Sequence, residues 1–104
     1  MASSVSEESN STKLPSELCL KHAAKLAVVE DKPVMFDYWV DSLREDGCFI
    51  GVKEGSEGEK LLVKDEDQYT SPISKIYKVN GEYLICSENS IYIVDDSIKT
   101  RRIS

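Results

Sequence analysis

The stretch Tyr77-Lys78-Val79-Asn80-Gly81-Glu82-Tyr83-Leu84-Ile85-Cys86 constrains this chain more than any other. Two runs rich in β-branched and aromatic residues flank Asn80-Gly81. A tight turn between right-twisted strands demands positive φ, which asparagine and glycine tolerate. Register comes from the turn: Tyr77 falls opposite Leu84, and Ile76 opposite Ile85. A second turn at Glu88-Asn89 sets Cys86 opposite Ile91 and Leu84 opposite Ile93. One face of the resulting ribbon collects Tyr77, Val79, Leu84, Cys86, Ile91 and Ile93; the other collects Ile76, Tyr83, Ile85, Tyr92 and Val94. Both faces are apolar, unlike the usual half-wet antiparallel sheet, so each needs cover. Within the chain the one candidate for the second face is an amino-terminal helix, and the alternative is a partner protein.

That helix is legible from Ser16-Glu17 onward. Ser16 suits an N-cap, Glu17 favours the positive end of the helix dipole, and the alanines at 23, 24 and 27 favour continuation. Glu17, Lys21 and Lys25 share a polar face. Leu20, Ala23, Ala24, Ala27 and Val28 form the opposing narrow stripe. Pro33 ends the segment, because the residue before proline is pushed out of the α region. Beyond it the period changes to two. Val34, Phe36, Tyr38 and Val40 alternate with Met35, Asp37, Trp39 and Asp41, which predicts a first strand burying its even residues. Asp46-Gly47 turns the chain into a second strand at Cys48–Lys53. The glycine-rich Glu54–Gly58 stretch is an exposed turn, Lys60–Lys64 a third strand, and Asp65–Gln68 a solvated acidic loop.

These elements predict an α+β, mainly β fold: a bent antiparallel meander or small barrel of about six strands, with one N-terminal helix. Residues 1–13, with five serines and few apolar side chains, read as a flexible lead. Residues 14–98 read as a single domain, and residues 99–104 as a short basic tail.

Charge narrows the function classes. The chain carries 13 basic and 19 acidic side chains, a net −6. Lys99, Arg101 and Arg102 all lie near its end, so residues 1–98 hold 10 basic and 19 acidic groups, or −9. A body that acidic repels phosphate backbones, so nucleic acid is a disfavoured partner. The cationic tail suits contact with an acidic partner. Cys19, Cys48 and Cys86 stand apart with no metal-ligand spacing, and each falls at an apolar position, where cysteine packs as a small hydrophobe. An odd count with no signal-peptide pattern predicts reduced thiols in a cytosol-like compartment rather than secretion. No apolar run approaches the ~20 residues a membrane-spanning helix needs.

Chemistry-bearing motifs are sparse. His22 is the only histidine, and on the helix it is three residues from Cys19, which makes a Cys–His pair geometrically available. No orienting carboxylate or oxyanion loop accompanies that pair. Asp65, Glu66 and Asp67 lack the pattern of a calcium loop, and Gly51, Gly55 and Gly58 precede no helix that would cradle phosphate. The sequence therefore assigns no catalytic, cofactor-binding or metal-ligating residue. Met35 and Trp39 project from the first strand away from its predicted core. They are candidate anchors for a protein partner, with core packing as the competing explanation for Trp39. Lys99, Arg101 and Arg102 complete the candidate contact residues.

From Lys13 onward the chain resembles a group of short proteins encoded by nucleocytoplasmic large DNA viruses, particularly algal and giant viruses. The likeness is carried by Leu20-Lys21-His22-Ala23-Ala24-Lys25-Leu26-Ala27, by Glu30-Asp31-Lys32-Pro33-Val34-Met35-Phe36-Asp37-Tyr38-Trp39, and by Glu59–Lys64, Tyr69–Lys78 and Glu88–Val94. The Glu54–Gly58 turn looks longer here than in that group. The resemblance implies a viral origin and brings no catalytic residues. With the absence of motif chemistry it implies a small non-enzymatic protein, a minor virion or assembly component bound to capsid or other virion proteins. The alternative is a soluble adaptor in the host cytoplasm.

Overall fold

The computed structural model describes residues 13–55 and 58–103. It is mainly β with a helix at the amino-terminal side, as expected, but the strands form two open four-stranded sheets rather than one meander or a closed barrel. In chain order the elements are α1 (Glu17–Glu30), β1 (Val34–Met35), α2 (Trp39–Ser42), β2 (Phe49–Lys53), β3 (Lys60–Asp65), β4 (Gln68–Tyr69), β5 (Ile73–Val79), β6 (Glu82–Ser87), β7 (Ile91–Asp95) and β8 (Lys99–Ile103). The first sheet runs β1-β7-β6-β5 and the second β4-β3-β2-β8. Two pairings are parallel, β1 with β7 and β2 with β8, so the all-antiparallel expectation fails at both. The flexible lead expected for residues 1–13 lies, apart from Lys13, outside the described residues, as do residues 56–57 of the glycine-rich turn.

The hairpin register is the one the Asn-Gly turn dictates. Tyr77 pairs with Leu84, Ile76 with Ile85, Leu84 with Ile93 and Cys86 with Ile91. Asn80 and Gly81 both take positive φ, 52° and 87°. Each apolar face has its own cover, and the cover differs from the single candidate read in the sequence. On one side Leu84 and Ile93 pack with Cys19 and Ala23 of α1 and with Trp39. On the other, Ile85 and Val94 pack with Ile50 and Leu62 of the second sheet, and with Tyr38 and Cys48. The order of layers is thus helix, sheet, sheet.

Helix α1 starts and stops where the local signals put it. The Cys19 amide donates to the Ser16 hydroxyl at 3.1 Å, and Asp31 closes the helix in the left-handed region at φ 57°. Its buried stripe is rotated from the expected one. Cys19 and Ala23 are fully enclosed with Leu20 and Leu26 beside them, whereas Val28 is 82% exposed. A stripe of small residues left the helical phase weakly specified; docking of Cys19 and Ala23 on the sheet sets it.

The predicted first strand is mostly not a strand. After β1 the chain turns into α2, where the Ser42 amide donates to the Tyr38 carbonyl. The Ser42 hydroxyl donates to the Trp39 carbonyl, and the Asp95 amide donates to that hydroxyl at 2.9 Å, fixing α2 to β7. Tyr38, Trp39 and Ser42 are buried, a spacing of one helical turn that the alternation of apolar residues concealed. The Tyr38 ring stands edge-on to Tyr92, with centroids 5.3 Å apart.

A candidate interaction surface on the second sheet

The sequence-predicted contact residues separate in the structure. Trp39 is 3% exposed, so its competing explanation holds: it is core, not a surface anchor. Its indole Nε1–H donates to the Lys13 carbonyl at 2.8 Å. Met35 stays partly exposed on the edge strand β1. Lys99, Arg101 and Arg102 come together, but as strand β8 instead of a loose tail. Parallel pairing to β2 is a non-local contact that charge alone could not reveal.

With β8 in place, the outward side of the second sheet acquires a definite character. Register puts Phe49, Gly51, Leu61, Val63, Arg101 and Ile103 on the side opposite Ile50 and Leu62, which face the first sheet. Phe49, Leu61, Val63, Tyr69 and Ile103 line a groove of about 590 Å³, with Lys53, Asp65 and Glu66 at its rim. Leu61 and Val63 form its floor; Tyr69 stands 59% exposed. Gly51 makes this packing possible. A Cβ there would meet Ile103 Cδ1 at 2.8 Å and Val63 Cγ2 at 3.1 Å, so the absent side chain is what lets Ile103 settle across the sheet. Along the edge, the Arg101 guanidinium lies over the Phe49 ring at 5.0 Å. Lys99 meets Glu45 at 3.9 Å and Arg102 meets Glu54 at 3.6 Å, both well exposed. Such pairs contribute little and are easily exchanged. The Tyr69 ring and the missing side chain of Gly51, a residue the sequence reading already placed within the second strand, were the signals for this surface.

A second, smaller groove of about 420 Å³ runs between α1 and the first sheet, lined by His22, Lys25, Leu26, Val29, Tyr77, Lys78, Val79 and Leu84. One flank is solvated helix surface and the other is the β5–β6 part of the first sheet.

The three thiols sit in settings that disfavour the thiolate. All three cysteines are free and buried. Burial, reinforced by the Glu82 carboxylate, pushes the Cys19 thiol up to about 11, and burial with the Asp41 charge does the same for Cys48. Burial also raises Cys86. A thiol so shifted is protonated at neutral pH and a poor nucleophile. Cys19 faces Glu82, whereas His22 is solvent-exposed on α1, so the helix does not set them as a catalytic pair. Among the described residues no three His, Cys, Asp or Glu side chains gather as metal ligands, and no helix is long and apolar enough to cross a membrane. No family model, curated protein or solved structure matches the chain.

Proposed function

We propose that this chain is a small non-enzymatic binding protein of a nucleocytoplasmic large DNA virus, acting as a minor virion or assembly component through contacts with capsid or other virion proteins. One observation carries the binding role. The second sheet presents an apolar groove floored by Leu61 and Val63, and no layer covers it among the described residues. A groove of that kind, rimmed by polar side chains, is the ordinary mark of a protein-interaction site. The inert setting of the thiols supports the non-enzymatic part, and the viral assignment rests on the sequence resemblance. The open edge at β8 favours a second reading, a soluble adaptor in the infected cell that captures a segment of a host protein.

Mass spectrometry of purified particles tests the leading reading. The wild-type chain is expected in particles together with capsid proteins, and a Tyr69→Ala/Phe49→Ala variant that folds normally is expected to be depleted from them. Absence of the wild-type chain from particles, with host proteins recovered by cross-linking in infected cells, would replace it with the adaptor reading.

A further inference from the structure

We infer that β8 is a recognition edge for an extended acidic segment of a partner protein, which adds to the second sheet as a fifth strand beside Lys99–Ile103. The inference rests on reading the outward side of that sheet as an interface, and it specifies the chemistry of what binds there.

Main-chain geometry comes first. The Glu54 amide donates to the Ile103 carbonyl at 3.0 Å. In a parallel ladder the inward-bonding residues alternate, so the peptide groups of Lys99, Arg101 and Ile103 turn toward β2, and those of Thr100 and Arg102 turn toward the open edge. Among the described residues β8 has no neighbour on that side. Residues 99–102 are all exposed. An edge with outward donors and acceptors is a template for another strand.

Charge selects the occupant. Three of the five β8 residues are cationic, in a chain whose net charge is −6. Self-pairing of β8 between two copies is disfavoured by the same count, since it sets cations against cations. Lys99 and Arg101 share the outward side of the sheet, so carboxylates on the matching side of an added strand would meet both. The exposed ion pairs to Glu45 and Glu54 show that carboxylates are already accepted at this edge, in a form an incoming chain can displace. Ile103, at the lip of the groove, offers an apolar contact beyond the charges.

Nuclear magnetic resonance of the full isotope-labelled chain tests the inference, with an amidated seven-residue peptide alternating glutamate and valine as probe. Saturable shifts and gained exchange protection at the Thr100 and Arg102 amides are expected, weakening as salt is added. A Lys99→Glu/Arg101→Glu variant should lose about tenfold or more in affinity. Thr100→Pro removes an outward donor while sparing the bonds to β2, and should abolish binding with the melting midpoint retained. Peptide binding that Thr100→Pro leaves unchanged would overturn strand addition, yet leave the groove reading to its own particle-association test. No binding by the glutamate–valine peptide, or equal binding by a lysine–valine peptide, would overturn the inference. So would a thymidine oligonucleotide binding where the acidic peptide does not, and nucleic acid would then be the partner.

Discussion

The Ser16 hydroxyl donates to the Glu82 carboxylate at 2.8 Å while accepting the Cys19 amide at 3.1 Å, so one side chain both caps α1 and satisfies a buried acid on β6. Glu82 is only 4% exposed, and its position immediately after the Asn-Gly turn ties the start of the helix to the tightest point of the first sheet. Ser16→Ala removes both bonds. A loss of about 2–3 kcal/mol in urea-determined stability is expected, combining a missing cap with an underserved buried carboxylate. Ser16→Thr, which keeps the hydroxyl, should restore most of it.

The Asn80-Gly81 turn gives a second expectation. Both residues hold positive φ, where an L side chain costs about 1–2 kcal/mol per residue. Replacing both with alanine should lower stability by about 2–3 kcal/mol. An unchanged denaturation midpoint would contradict the turn.

Trp39, the only tryptophan, reports on the seam between α1 and the first sheet. Its fluorescence should be blue-shifted in the folded protein and move to the red in a single step with denaturant. Trp39→Phe removes the bond to the Lys13 carbonyl and some volume, with a cost of about 1–3 kcal/mol.

Gly51 and Ile103 should be energetically coupled. Gly51→Ala crowds the Ile103 side chain and should cost about 1–2 kcal/mol. Ile103→Val in the same chain should return part of that loss, and a double-mutant cycle measures the coupling.

The thiols predict an alkaline limit. Cys19 and Cys48 lie near 11 in the folded chain against an ordinary 9.0. Below pH 9 both states keep their protons and the contribution is constant. As pH rises from 9 towards 11, the unfolded chain sheds protons that the folded one retains, so stability falls over that window. Equilibrium denaturation from pH 8 to 11 checks the sign, and Cys48→Ala should flatten part of the slope. At neutral pH an aromatic disulfide reagent should label the thiols only after unfolding.

Legibility in the sequence tracked the range of the interaction. The bounds of α1 and the register from Tyr77 to Ile93 depend on caps, a proline and a two-residue turn, all within a few residues. They emerge intact. The segment around Trp39 failed because Tyr38, Trp39 and Ser42 satisfy one helical turn as well as their neighbours satisfy alternation, and contacts distant in sequence, such as the bond from the Asp95 amide to Ser42 and the packing of Tyr38 on Tyr92, favour the turn. Strand β8 failed for a different reason. Lys99, Arg101 and Arg102 look like solvated charge until β2, far away in sequence, supplies an edge. The candidate surface depends on that pairing, so it was invisible with it, and of the two residues singled out on the predicted first strand the fold buries Trp39 and leaves Met35 partly exposed.

Neither sheet is a continuous stretch of polypeptide. The chain lays down β1 in the first, leaves to build β2 to β4 in the second, returns for β5 to β7, and crosses back for β8. A ribosome releasing this chain would expose an incomplete version of each layer until the closing strand emerged. A break between β4 and β5 would leave pieces of both sheets on each side of the cut. Neither fragment of such a cut holds a complete sheet, so neither layer can be assembled from one half of the chain.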